Sequence, residues 1–358
     1  MNKIDWYIIK KFLSTFFFTL TIILIIVIVF DISEKIDDFL EHNLKIRSII
    51  FDYYLNFIPY FGNLFSPLFI FISVIFFTSK MANNTEIIAI LNTGMSFIRL
   101  LKPFMICALL LCILSFILGN FVIPDANKKR IDFENKYIKN KKYRYNKNIH
   151  LQIQKGQYIY MESFNSKRNI GYKFTIENFK DGKLESKLKS DYVQFDTLTN
   201  KWTAHKYEIR VFEEMGQKIY NGRKLDTTIN LSPFEFTKKN SLVETMNFYE
   251  LNKYINEEEI KGTAQIIYHK IEKYKRTAFP FASIILTLIA VSISCRKIKG
   301  GVGLHLGIGL LIAFTYILFM QISTTFATNS NLSPMIAVWI PNICFIILAS
   351  FLAYRAPK

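Results

Sequence analysis

Five stretches of the chain contain no Asp, Glu, Lys or Arg: Phe12–Phe30, Tyr53–Ser79, Pro103–Pro124, Thr277–Cys295 and Gly300–Tyr354. Runs of this length dominate what the chain can become, because a backbone surrounded by hydrocarbon must satisfy its own hydrogen bonds and does so as helix. The first is 19 residues long. At about 1.5 Å per residue it covers about 28 Å, close to the hydrocarbon thickness of a bilayer. The last is far too long for one crossing, and the polar segment Ala327–Pro334 divides it in two. The expectation is therefore six transmembrane helices, in a 358-residue chain that is 51% hydrophobic. The first apolar run is too long for a signal-peptide core and is followed by Asp31, Glu34 and Lys35 rather than a small-residue cleavage site, so it reads as a retained span.

Lys and Arg in the short loops orient the spans. With the N-terminus in the cytoplasm, that side holds Lys3, Lys10, Lys11, Lys80, Arg99, Lys102, Arg296, Lys297, Lys299, Arg355 and Lys358. The opposite short loops hold only Lys35, Lys45 and Arg47, among Asp31, Glu34, Asp37, Asp38, Glu41 and Asp52. Both termini are thus expected inside. The long segment between the third and fourth spans, 125–276, is expected outside, giving domains at 1–124, 125–276 and 277–358. The segment from Pro124 to Arg276 carries 31 Lys plus Arg against 20 Asp plus Glu. That excess is equally the signature of an anion-facing patch and of a chain that favours Lys on every exposed surface.

The external segment reads as strands. Segments 150–155, 157–163, 169–179, 183–190, 191–198, 201–213, 217–225 and 227–236 are rich in β-formers, and several alternate apolar with polar residues. Asp181-Gly182 and Asn200-Lys201 fall at hairpin positions. Eight short antiparallel strands predict a sandwich or jelly roll. Helix then returns: Asn247 caps a helix over 248–260 ended by Gly262, and a basic helix over 264–276 runs into the fourth span, either surfacing from the membrane interface or simply connecting. Cys107, Cys112, Cys295 and Cys344 all lie in or beside the spans, so the external domain has no disulfide framework.

The chemistry inventory excludes several classes. The apolar spans hold no carboxylate, lysine or arginine, and their one histidine is His305, which argues against proton-driven transport. There is no G-x-x-x-x-G-K-[ST] phosphate cradle; Gly300, Gly301 and Gly303 lack the Lys-Ser/Thr ending. His42, His150, His205, His269 and His305 are scattered, with no zinc or hydrolase spacing, and His205 on an alternating strand reads as a surface side chain. No catalytic residue, metal site or cofactor is expected, and nothing points to nucleic acid. Any work the protein does must draw its energy from a partner.

The loop between the second and third spans, 84–96, is where such a partner would act. Asn84 or Thr85 can cap a helix over about 84–93 whose first turn carries Glu86, a charge that suits exposed amides. Ile87, Ile88, Ala89, Ile90 and Leu91 continue it, and Gly94 can supply the left-handed residue that ends it. So many aliphatics belong either in the headgroup region or in a groove on another protein, with Glu86 as the docking key.

The order of these parts resembles the LptF/LptG permease family of lipopolysaccharide exporters. The resemblance is carried by Pro67–Val74 through Asn84–Pro103, by Asp5–Phe12, Val122–Asn127 and Phe279–Phe281, and by Trp339–Asn342. It implies six transmembrane α-helices with an inserted periplasmic antiparallel β jelly-roll-like domain, forming the permease half of an ATP-binding-cassette transporter in the bacterial inner membrane. The implied partners are a cytoplasmic ATPase dimer, a paralogous six-span half, a periplasmic jelly-roll bridge protein and lipopolysaccharide itself. Glu86 would be the coupling carboxylate, with Ile87, Ala89, Ile90, Leu91 and Gly94 around it. Lipid would pass gates lined by the first and fifth spans. Family members place basic side chains near the outer end of the first span against lipid phosphates; here Lys35 stands among five acids, so Lys35, Lys45 and Arg47 are all candidates for headgroup contact. The competing class is a membrane-anchored scaffold whose external strands bind an envelope protein.

Overall fold

The computed structural model describes residues 2–138, 146–154, 156–197, 199–213, 215–227, 233, 240–261, 265–298, 300–329 and 332–356. Six helical stretches are long and apolar enough to cross a membrane: Lys3–Glu41, Ile46–Asn83, Phe97–Ile138, Ile266–Ser294, Gly301–Asn329 and Pro334–Tyr354. The first is α1 (Lys3–Glu41). The second comprises α2 (Ile46–Ser48), a π-helical turn at Ile49–Tyr54 and α3 (Leu55–Asn83). A short α4 (Glu86–Asn92) precedes the third span, which runs from α5 (Phe97–Ile117) through π-helical Leu118–Val122 to α6 (Ile123–Phe133) and π-helical Glu134–Ile138. After the strands come α7 (Phe248–Lys261), α8 (Ile266–Ser294), α9 (Gly301–Asn329) and α10 (Pro334–Tyr354). As expected, one unbroken helix joins the basic segment to the fourth span.

The chain divides into two compact units. One comprises Met1–Ile138, Glu244–Phe248 and Lys270–Lys358; the other comprises Lys139–Val243 and Tyr249–His269. In the helical unit the first helix outruns its apolar run: Asp31–Glu41, read from sequence as loop, is eleven further residues of α1. No Gly or Pro interrupts that stretch, and Lys35 Nζ lies 2.6 Å from Asp31 Oδ1 one turn away, the spacing that supports a helix. α3 packs against both α1 and α9. The α3–α9 approach is close because Gly309 has no side chain; a Cβ there would run into Cδ1 of Ile75. Several polar groups at depth are paired. Asn342 on α10 accepts from Tyr316 Oη on α9 at 2.7 Å and donates to the Ala278 carbonyl of α8 at 2.9 Å. Thr19 on α1 meets Ser73 on α3 at 3.0 Å, and Ser115 on α5 donates to Asn63 on α3 at 2.6 Å.

A charged cluster ties the stretch Glu244–Met246 to α6 and α8. Asn127 Nδ2 donates to the Glu244 carbonyl at 3.3 Å, and Arg276 Nη1 donates to the Met246 carbonyl at 2.6 Å. Arg130 sits over the Tyr60 ring at 4.5 Å and 3.8 Å from Glu134. Burial raises the Glu244 carboxyl above its ordinary value and Glu272 raises it further, against the pull of Arg130 and Arg276. A carboxyl whose folded pKa is raised stabilises the fold fully below its unfolded pKa, and that contribution is lost as pH rises through the folded value.

In the other unit β1 (Asn146–Gln154), β2 (Gln157–Asn165), β3 (Ile170–Lys180), β4 (Lys183–Asp196), β5 (Lys201–Glu213) and β6 (Gly216–Thr227) form one open antiparallel sheet in sequence order. Eight strands were expected. Segments 183–190 and 191–198 merge into β4 because nothing between Ser190 and Asp191 breaks the chain, and segment 227–236 lies almost wholly outside the described residues. Asp181 and Gly182 form the β3–β4 turn with φ of 50° and 80°, as the Asp-Gly pair predicts, while Asn200 (φ 53°) ends the β4–β5 turn. One face of the sheet is apolar, built on Ile159, Met161, Phe164, Phe174, Ile176, Val193, Trp202 and Ala204.

Every ladder skips a pair at the same height. The line runs Asn148, Glu162, Lys173, Asp191, Lys206, Arg223, and the register is unchanged on either side of it. Asn148, Lys173 and Lys206 have φ of 52°, 48° and 51°. Core-facing residues on the flanking strands are accordingly spaced by three rather than two, as at Met161 and Phe164 or Gly171 and Phe174. Such breaks bend a sheet, so the five aligned breaks form a crease across it.

Two outcomes follow from these features. Glu244→Gln should raise the amide protection factors over 244–248 at neutral pH and flatten their pH dependence, whereas in the native chain those protection factors should fall as pH rises through the raised carboxyl pKa. A left-handed backbone costs an L-residue about 1–2 kcal/mol, most for β-branched ones. Lys206→Gly should therefore slow, and Lys206→Val accelerate, exchange of the β5 amides, since the exposed Lys206–Asp191 pair at 3.5 Å contributes little.

Candidate functional site

The turn between α3 and α4 is tight. Lys80 and Ala82 carbonyls accept from the Asn84 and Thr85 amides at 3.0 and 3.1 Å, and Thr85 takes a left-handed φ of 63°. Thr85 occupies the capping position, as one of the two expected residues, but makes no side-chain cap: its hydroxyl donates to the Asn84 carbonyl at 2.6 Å instead. Asn84 Nδ2 donates to Glu86 Oε1 at 3.1 Å, and Tyr7 Oη donates to Glu86 Oε2 at 3.4 Å. Gly94, with φ of 84°, supplies the expected left-handed residue past the end of the helix.

A seven-residue helix cannot hold itself in water, so packing must hold it. Ile87 is 1% exposed, and Ile90 and Leu91 pack against the same apolar core. These three aliphatics anchor α4 to its own chain. The outward side carries Ile88, 45% exposed, with Ala89, Asn92 and Gly94. Glu86 is half-buried at its start, on the rim of a cleft of about 180 Å³ shared with Tyr7, Lys11, Phe76, Phe77 and Lys80.

The start of α5, the helix that follows α4, is clamped to the start of α1. Arg99 Nη1 and Nη2 donate to Asp5 Oδ1 and Oδ2 at 2.8 and 2.7 Å, and the Asn2 amide donates to Asp5 at 2.8 Å. This two-pronged pair joins the starts of α1 and α5 across 94 positions of sequence. The sequence reading counted Arg99 only as a loop charge; its signal was Asp5, an acid placed just before a long apolar run.

Among the proposed headgroup contacts, Lys35 is engaged. Its ammonium pairs with Asp31 and donates to the Tyr53 hydroxyl, while Tyr54 Oη donates to Asp31 at 3.1 Å, and the Lys35 side chain is 16% exposed. Lys45 and Arg47 are exposed on the following turn. The structure thus does not bring the three together on one surface of paired groups: one is enclosed and two face outward. α1 and α9 are the least covered spans, with 11% and 22% of their apolar windows buried, against 67% for α8.

The clamp makes a checkable claim. Asp5→Asn and Arg99→Gln should each lower the thermal midpoint of the purified chain, and the charge exchange Asp5→Arg with Arg99→Asp should restore part of the loss, because a buried carboxylate left alone is worse than a reversed pair.

Comparison with known proteins was made on the whole chain. A search of curated proteins returned no match. A family model described as lipopolysaccharide export system permease LptF/LptG matches residues 6–355, nearly the entire length. With six apolar spans, an inserted antiparallel sheet and that match, the chain belongs to the LptF/LptG family of lipopolysaccharide export permeases.

Proposed function

We propose that this chain is the permease half of an ATP-binding-cassette transporter that lifts lipopolysaccharide from the inner membrane, with a cytoplasmic ATPase dimer driving it through α4. The observation that carries this reading is the mounting of α4: a seven-residue helix fixed inward by Ile87, followed by the Asp5–Arg99 clamp, and presenting Ile88 and Ala89 outward beside the half-buried Glu86. Push on such a helix and the ends of α1, α3 and α5 move with it. Glu86 supplies the charge that a basic groove on the ATPase would meet, and Gly94 frees the chain to turn into α5.

The orientation follows the basic loops: both termini and α4 in the cytoplasm, the sheet in the periplasm. The low coverage of α1 and α9 supports these two spans as the surfaces that meet lipid and a paralogous half, since apolar faces left open within one chain need acyl chains or a second subunit beside them. The apolar face of the sheet then offers acyl chains a path toward a periplasmic jelly-roll bridge protein. Of the headgroup candidates, Lys45 and Arg47 are presented directly, while Lys35 would have to exchange Asp31 for a lipid phosphate.

Glu86→Lys should reduce co-purification of the ATPase and lower transport at least tenfold while leaving the chain folded. Full assembly and full transport by that variant would end the coupling assignment. Photo-reactive residues at Phe18 and Phe314, 66% and 61% exposed on α1 and α9, should capture lipopolysaccharide in membranes. The scaffold alternative expects no lipid adduct at either position.

A further inference from the structure

The outward face of the sheet carries a second feature that neither coupling nor acyl passage uses. Beside the crease, Tyr172 faces Tyr192, Tyr192 faces His205, and His205 faces Lys224 on successive strands. The Tyr192 and His205 rings stack at 4.4 Å with 10° between their planes. Next to this row lies a cleft of about 490 Å³, within the roughly 300–1,000 Å³ range of small-molecule sites. Its walls include Arg168 from the β2–β3 turn, Gln194 from β4, Thr203 and His205 from β5 and Lys224 from β6. The turn is shaped by buried Asn165, whose Oδ1 accepts from the Lys167 and Arg168 amides at 3.0 and 3.3 Å.

The lining has a definite chemistry. Cations from two separate elements, the turn and β6, converge on amide and hydroxyl groups. Two acids bear on it: Asp196, itself in the wall along with a further cation, Lys167, accepts from Thr199 at 2.7 Å, and Asp226, paired across from Thr203, accepts from its hydroxyl at 2.9 Å. His205 is held below its usual pKa by burial and then by Lys224, so a bound anion would draw it back up. Cations for an acid group and short polar side chains for hydroxyls are together what an acidic sugar requires. We propose that this outward cleft binds an anionic sugar, its phosphate or carboxylate among Arg168, His205 and Lys224 and its hydroxyls on Gln194 and Thr203. The cleft gives the net positive charge of the external segment a specific place to act.

Two sources share this chemistry: the phosphorylated sugars of lipopolysaccharide and the carboxylated sugars of cell-wall glycan. The test uses the full detergent-solubilised chain with labelled histidine, the His205 resonance being assigned through His205→Gln. Glucosamine 6-phosphate, N-acetylmuramic acid, N-acetylglucosamine and inorganic phosphate are titrated in turn. At least one acidic sugar should shift the His205 resonance, raise its pKa and bind at least tenfold more tightly than N-acetylglucosamine. Arg168→Gln with Lys224→Gln should weaken that binding at least tenfold, and Lys183→Gln at the far end of β4 should leave it unchanged. Preference for the phosphate or the carboxylate sugar supports the site and identifies the source. Equal binding of acidic and neutral sugars, inorganic phosphate binding as tightly as its sugar ester, or indifference to the double variant would each overturn the proposal. None of these results depends on the ATPase, so the coupling reading stands or falls separately.

Discussion

Hydrocarbon offers a peptide group nothing to bond to, and every other property of this molecule is arranged around that fact. The spans are helices from end to end, tightened or loosened into π-helical turns at Ile49–Tyr54, Leu118–Val122 and Glu134–Ile138 rather than broken. Several polar side chains at depth meet one another or a carbonyl, as Asn342 does between Tyr316 and Ala278. Charges are driven to the ends. There they become fasteners: Asp5 with Arg99 at one end of the bundle, and Asp31 with Lys35, Tyr53 and Tyr54 in the first two spans at the C-terminal end of the first apolar run.

This division of labour explains how so small a helix as α4 can matter. Alone it is below the length at which a helix persists in water. Fixed by Ile87, Ile90 and Leu91 to the apolar core and followed by the clamped start of α5, it behaves as part of the bundle. Its outward residues are few, and Glu86 is steadied by Asn84 and Tyr7, which would favour the docking proposed above. Such preorganisation reduces the ordering that binding would otherwise require.

The number of spans, the break at Ala327–Pro334, the continuous α8 and the Asp181-Gly182 turn were all legible in the sequence, because each rests on a local rule of hydropathy or backbone conformation. Glu86 and Gly94 could be singled out for the same reason. The burial of Ile87, Ile90 and Leu91 against their own chain could not, since an aliphatic row on a short helix looks the same whether it faces a partner or a core. Nor could the Asp5–Arg99 clamp, whose members stand 94 positions apart and are paired only by the fold. Lys35 looked like a spare cation among acids; the turn-spaced Asp31 that encloses it was visible, but the tyrosines from the next span were not. The merging of two predicted strands into β4 and the departure of Lys173 and Lys206 from extended backbone were hidden because neither residue type announces a positive φ.

The crease has a meaning for neighbours as well as for shape. Since the register carries straight through it, the bend belongs to the whole set of strands and is handed from each to the next, ending at Asn148 on one border and Arg223 on the other. A straight, fully extended strand offered to either border would match it above or below that level and miss it elsewhere. Among the described residues no strand continues the sheet past β1 or β6, so a visitor to either margin must already be able to leave the ladder at that height, a geometric filter against indiscriminate edge-to-edge association.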